Sequence, residues 1–361
     1  MKEHVILKLT ESGIRDNYLR AIEFRNPEWI PSQVEIGPAL WHKYKGKLEN
    51  IAKKHEMVFG EYEEGLLYFD SVNFPPVYRK GYFKDNWGCV WYNAEDGYEG
   101  IVSENPLAAW DSFDTYKVPD FNNVSERGDR DWNAIEKDIQ ERKIKKLLTV
   151  GSGERLFDRL YLLRGFENLM IDIAEDNPKL SILIEMLLEY EMGLAKKWLD
   201  IGVDIIAFHT DIGTQNSLMI SPAQFRKHIK PMFKELFTYI RKTGTHVYLS
   251  SDGKLLEIVD DLIECGISMH DPQFRANTLN GIEKAYKGKI CIKLDLDRQM
   301  IPFCTPEEVN NHVCECVKAL RSDQGGLILS GNFSDPNTPL ENIEAMCKAF
   351  EEYCITSIGG A

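Results

Sequence analysis

The sequence has no run of 18 apolar residues, so it offers no segment long enough to cross a bilayer as a helix. Its first residues, Met1-Lys2-Glu3-His4, lack the apolar stretch and small-residue cleavage site of a secretory signal. A cytoplasmic location without membrane attachment is therefore expected. No basic run interrupts the formal charge of −14. Phosphate backbones and anionic lipid headgroups are repelled on average, so nucleic acid is not an expected partner. The eight cysteines include no Cys-x-x-Cys pair and are scattered through the chain. Reduced thiols, not a disulfide framework, are the expectation. No Gly-x-Gly-x-x-Gly follows a strand, no P-loop is present, and Gly151-Ser152-Gly153 is too short to cradle a phosphate. A Gly-x-Ser-x-Gly nucleophile elbow is missing too.

What is present points to a large core. The 361 residues are 43% hydrophobic and 28% charged, enough for one large barrel or two average domains. The character of the chain changes near residue 145. Before it lie Trp29, Trp41, Trp87, Trp91, Trp110 and Trp132, and residues 58–116 read as short strands and loops. After it, apolar runs at Val203–Phe208, Thr245–Leu249, Gly266–Met269, Ile290–Leu294 and Leu327–Leu329 alternate with helix-period segments. That rhythm implies βα units and a parallel sheet.

The helices carry clear punctuation. Leu183, Met186, Leu187, Tyr190, Leu194 and Trp198 form one stripe, with Gly202 placed for a left-handed cap. Ser221-Pro222 reads as an N-cap followed by proline. Thr305 with Glu308, and Thr338 with Glu341, have capping-box spacing. Helices are predicted near 178–200, 222–242, 254–264, 306–321 and 339–353. His312-Val313-Cys314-Glu315-Cys316 has metal-binding residue types, but on a helix the first and middle of these point roughly 200° apart. Cys316 instead falls with Val309, Val313, Val317 and Leu320 on a core face.

Each apolar run ends in polar groups: His209-Thr210-Asp211, Ser250-Ser251-Asp252-Gly253, His270-Asp271, Asp295 to Gln299, and Ser330-Gly331-Asn332. In a parallel barrel such strand ends meet at one mouth, where catalytic groups gather. Loop polarity and helix capping supply some of this pattern unaided. Asp252 before Gly253 could cap a helix starting near Lys254. His209 and His270 could be ordinary hydrogen-bonded histidines, and Asp295 could face the barrel interior.

These residues resemble a known family. His209-Thr210-Asp211-Ile212-Gly213-Thr214-Gln215, Ile220-Ser221-Pro222 and a helix carrying Lys230-Pro231 look like the central segment of uroporphyrinogen decarboxylase-like proteins. Asp297-Arg298-Gln299, Thr305-Pro306-Glu307-Glu308-Val309, Gly325 to Leu329 and Pro339 to Met346 fit the later part. Trp87-Gly88-Cys89-Val90-Trp91 and Asn105-Pro106-Leu107 look like the corrinoid-dependent methyltransferase branch. The likeness covers most of residues 85–353.

The resemblance implies an α/β fold, a (β/α)₈ TIM barrel with an N-terminal extension. It implies one domain over residues 1–361, with extra strands and loops in 1–145 and regular βα units in 146–361. It also implies methyl transfer from a small methylated substrate, such as an aromatic methyl ether undergoing O-demethylation, to a corrinoid on a partner protein. A homodimer is a further candidate assembly. Two departures matter. The arginine-rich motif that grips porphyrinogen carboxylates in true decarboxylases is replaced by Asn26-Pro27-Glu28-Trp29-Ile30-Pro31. The His, Cys and late Cys that hold zinc in the methyltransferases are replaced by Ser250, Asp252 and Asn332. Either a zinc site is rebuilt around Asp252 and Asp211, with His209, His270 or Asp297 as further donors, or the metal is lost. Candidate catalytic residues are Asp211, Asp252 and Asp297. Candidate substrate-binding residues are His209, Gln215, His270, Gln299 and Asn332. A carbon–carbon lyase acting on a small acid, and a non-catalytic relative, are the alternatives.

Overall fold

A computed structural model describes residues 13–59, 76–96, 99–126 and 128–355. Residues 60–75, within the stretch read as strands and loops, lie outside the described residues. Twelve strands occur among the described residues: β1 (Ser32–Ile36), β2 (Gly81–Lys84), β3 (Val90–Asn93), β4 (Ile101–Glu104), β5 (Val124–Ser125), β6 (Gly128–Asp129), β7 (Val150–Ser152), β8 (Ile205–His209), β9 (His246–Ser251), β10 (Met269–Pro272), β11 (Cys291–Asp295) and β12 (Leu327–Phe333). The chain forms two compact units, Phe74–Ser268 and the remainder, Met1–Asn73 with Met269–Ala361. These boundaries differ from the composition change near residue 145.

In the Phe74–Ser268 unit, β7 pairs with β8 and β8 with β9, all parallel. Residues in register on parallel neighbours present side chains to the same face. Ser152, Ala207 and Tyr248 therefore share one face, as do His209 and Ser250 beyond them. Phe208 and Leu249 take the other face, where Phe208 packs 5.2 Å from Phe237 of the helix Lys230–Arg241. The N-terminal part of this unit adds the antiparallel ladder β2-β3-β4 and the small hairpin β5-β6.

In the other unit, β1, β12, β11 and β10 form a parallel ladder in that order. Here too the pleat sorts the side chains. Gln33, Ser330 and Asp295 are in register, as are Glu35 and Asn332, so one face is polar. His270 is in register with Ile292 and so lies on the opposite, buried face.

The α/β character and the parallel strands agree with expectation. Seven parallel strands occur among the described residues, so the closed eight-stranded barrel is seen only in part. Strand positions hold to within a few residues, except that the run starting at Gly266 becomes β10 only at Met269. Gly266 instead closes the preceding helix in the left-handed conformation, as Gly202 closes Pro178–Ile201. The predicted helix over 222–242 has a π-helical turn at Phe225–Ile229. Ser221 caps it through Gln224 N–H. Thr305 and Glu308 form the full capping box of the helix Pro306–Leu320. Thr338 does not cap the last helix. That helix starts at Leu340 with Pro339 at the cap and no side-chain bond, while Thr338 is buried and its carbonyl accepts from Tyr44 Oη at 2.8 Å. Cys316, Val309, Val313, Val317 and Leu320 are all buried, as the helical period required.

Replacing Thr305 with Ala removes the bond that Thr305 Oγ1 accepts from Glu308 N–H and the one it donates to Glu308 Oε2, while the Thr305 backbone N–H still reaches the Glu308 carboxylate. The expected loss is about 1 kcal/mol of unfolding free energy in urea, with Thr305→Ser retaining most of it.

Candidate active site

The chemistry of the Phe74–Ser268 unit converges where the loops after β7, β8 and β9 meet. The loop after β7 leads into the helix Phe157–Arg164, whose first turn carries Asp158. Asp158 is 4% exposed. Its backbone N–H donates to Thr210 Oγ1 at 3.1 Å, and its Oδ1 accepts the backbone N–H of Asp211 at 2.8 Å. Asp211 Oδ1 in turn accepts the backbone N–H of Asp252 at 2.9 Å. Ile212 N–H donates to Ser251 Oγ at 3.1 Å, and Lys254 N–H to the Thr214 carbonyl at 2.8 Å. Three consecutive strand-end loops are thus tied together through their polar groups.

This arrangement explains why Asp252 is not a helix cap. Its amide is turned toward Asp211, and helical structure begins only at Leu256. Gly253 makes the turn possible. Its φ is +91°, and a Cβ there would lie 2.3 Å from the carbonyl carbon of Gly213. Two glycines let the two loops touch backbone to backbone.

Burial, followed by the nearby Asp211 charge, raises the Asp158 carboxyl to about 6. Arg155, the Asp211 amide and Tyr161 act in the opposite direction without cancelling it. Arg155 is an arginine shared among acids. It bonds Glu126 through Nε at 3.1 Å and Glu99 through Nη2, and approaches Asp158 to 3.6 Å. Beyond it, Arg159 is fully buried, 2.8 Å from Glu126, 3.7 Å from Asp85 and stacked 4.6 Å from the Trp87 ring centroid. Asp85 also accepts from Trp91 Nε1 at 2.8 Å. The tryptophans Trp87 and Trp91 are core members that brace these ions.

Of the residues singled out from the sequence, Asp211 and Asp252 come together here. His209 is exposed, with its ring 6.0 Å from Tyr248, and Gln215 is exposed on the same loop as Asp211. Asp297, Gln299, His270 and Asn332 belong to the other unit. There Asp297 is held by Arg275 at 2.9 and 2.8 Å, accepts the amides of Gln299 and Met300 at 3.1 Å, and leaves its own N–H to donate to His312 Nε2 at 3.1 Å. Those bonds build a turn and occupy the carboxylate. Gln299 is exposed. His270 is fully buried against Tyr286, and burial drives its imidazole down to about 3, so it stays neutral. Asn332 shares the polar face with Glu35 and Asp295, and burial lifts Asp295 to about 7.

The donor set does not fit zinc. Ser250 and Asn332 are poor ligands, Asp211 already accepts from the Asp252 amide, and among the described residues no three His, Cys, Asp or Glu side chains are placed to hold a metal ion. Asp158, Arg155, Glu126 and Arg159 were not singled out from the sequence. The available signal was charge among buried apolar neighbours: Arg155, Asp158 and Arg159 recur at three- and four-residue spacing beside Leu156, Phe157 and Leu160.

Comparison with known families settles where this fold belongs. The family model described as uroporphyrinogen decarboxylase (URO-D) matches residues 99–353. The chain belongs to the uroporphyrinogen decarboxylase family. Among solved structures, this family member is similar to a methyltransferase from Methanosarcina mazei, with 16% identity, a TM-score of 0.60, and coverage of 94% of this chain and 98% of that one. A D-psicose 3-epimerase structure with D-fructose aligns at 8% identity and TM-score 0.40 over 63% and 85% of the two chains. Xanthomonas albilineans dihydropteroate synthase with 4-aminobenzoic acid aligns at 13% and 0.29 over 42% and 57%. No curated protein sequence matches this family member. Among the described residues no helix is long and apolar enough to cross a membrane.

Two outcomes follow from the geometry. A carboxyl raised by folding stabilises the native state below its unfolded value near 4, and that contribution disappears as pH rises through about 6. The stability of the wild type relative to Asp158→Asn should therefore fall between pH 4 and pH 6 and level off above 7, as read from urea titrations at each pH. Gly253→Ala should cost at least about 1 kcal/mol by the same measurement, because it combines a left-handed backbone with a clash.

Proposed function

We propose that this protein transfers a methyl group from a small methylated substrate, such as an aromatic methyl ether, to a corrinoid carried by a partner protein. The corrinoid acts as a co-substrate that supplies the nucleophile taking the methyl group. The observation that carries this reading is the buried Asp158 carboxyl beside Asp211. Demethylating an ether leaves an alkoxide or phenoxide, a poor leaving group unless it is protonated. Where related enzymes enlist a metal, this chain presents a carboxyl raised to about 6, which keeps its proton in mildly acidic solution where an ordinary aspartate has lost it. Asp158 gives its proton to the ether oxygen as the carbon–oxygen bond breaks and the methyl group passes to the corrinoid, leaving the alcohol or phenol and an ionised Asp158 beside the charged Asp211. Arg155, 3.6 Å from Asp158, limits the charge that then accumulates.

True porphyrinogen decarboxylation fits less well. Arg20 is held by Glu28, and Arg25 by Glu23, so the two arginines nearest the replaced motif are already engaged by acids. Decarboxylation of a smaller acid draws support from the same buried carboxyl, which would protonate the carbanion left by loss of carbon dioxide.

The test is to mix the purified protein with a reduced corrinoid protein and a panel of methyl ethers and methylamines. Methyl-cobalamin absorbance should appear, and Asp158→Asn should slow its formation by about 10²–10⁴-fold. The rate should decline as pH rises through about 6, since the acid form is the active one. No absorbance change with any methyl donor would overturn the methyltransferase reading. Carbon dioxide release without corrinoid would move it to the lyase.

A further inference from the structure

Arg155 faces three carboxylates with one guanidinium. It hydrogen-bonds Glu126 at 3.1 Å and Glu99 at 2.5 Å, whereas its closest approach to Asp158 is 3.6 Å. Its guanidinium carbon lies 5.6 Å from the Trp91 ring centroid, a cation–π contact. Glu126 is itself tethered, because Arg159 holds the same Oε2 at 2.8 Å. Glu99 is the more exposed partner, with 34% of its side chain accessible against 24% for Arg155 and 6% for Asp158.

We infer that Glu99 is a positioning residue that draws Arg155 away from Asp158, so that a pair near the surface sets how firmly the buried carboxyl keeps its proton. The physical reason is competition for one cation. A guanidinium bonded to two outer carboxylates stands farther from the third and stabilises its ionised form less. Without Glu99, Arg155 can close on Asp158 and form the charge-assisted hydrogen bond it now lacks. The groups facing Asp158 are Arg155 and Tyr161 from its own segment, and Thr210 and Asp211 from the loop after β8. Behind Arg155 stand Glu99 and Glu126, with Arg159 on Glu126. The bearing of this inference on catalysis rests on Asp158 being the proton donor; its bearing on titration does not.

The experiment is a carbon-13 NMR titration of aspartate-labelled protein without substrate, with Asp158 assigned by its absence in Asp158→Asn. The wild-type midpoint is expected near 6. Glu99→Gln should lower it by about half a pH unit or more, and Arg155→Met should raise it. The effect of Glu99→Gln should vanish when Arg155→Met is already present. An unchanged midpoint in Glu99→Gln overturns the inference. So does an equal shift with and without Arg155, which would mean that the Glu99 charge acts directly. If Arg155→Met does not fold, Arg155→Gln provides the same background. Absence of methyl transfer with these shifts intact counts against the proposed function alone.

Discussion

Asp158 lies almost wholly out of water, with the backbone amide of a second carboxylate, Asp211, bonded to one of its oxygens. Two acids so placed cannot both ionise cheaply, because neither water nor a fully committed cation offsets the charge. The rest of the Phe74–Ser268 unit is arranged around that constraint. The loop after β8 gives Asp158 the Asp211 amide and the Thr210 hydroxyl, the loop after β9 gives Asp211 the Asp252 amide, and Gly213 and Gly253 let the two loops approach closely. The arginines supply positive charge, but each is divided among several acids.

The same arithmetic governs the wider ion cluster. Arg159 has no contact with water, so it depends on Glu126, Asp85 and the face of Trp87 together. Buried ions of this kind contribute little net stability, yet removing one partner is costly because the other is left uncompensated. Such a network fixes positions. It holds the β7 loop against the N-terminal strands, and thereby fixes where Asp158 presents its carboxyl. Trp87 and Trp91 are buried supports for these ions and for the core.

The second unit shows how alternation along a strand separates chemistry from packing. His270 and Asp271 are adjacent in sequence, but the pleat sends His270 into the buried layer against Tyr286. Glu35, Asn332 and Asp295 share a face because register, not sequence proximity, unites them. Asp297 shows another fate for a strand-end acid, since its oxygens are taken up by Arg275 and by the turn that follows.

By itself the sequence determined the α/β character, the order of the later strands and helices, the Gly202 and Ser221 caps, the Thr305 capping box and the core face of Cys316. These depend on local periodicity and on bonds between residues a few positions apart. It also grouped Asp211, Asp252 and Asp297 with Asn332 as strand-end residues, of which Asp211 and Asp252 are bonded within one unit. Only the tertiary structure decided that Thr338 is buried and not a cap, that Asp252 offers its amide to Asp211, and that Asp297 is occupied by Arg275. It alone brought Asp158, Arg155, Glu126 and Glu99 into one network, because those contacts join residues tens of positions apart. A carboxyl's proton affinity depends on burial and on such distant charges, and neither can be read from its neighbours along the chain.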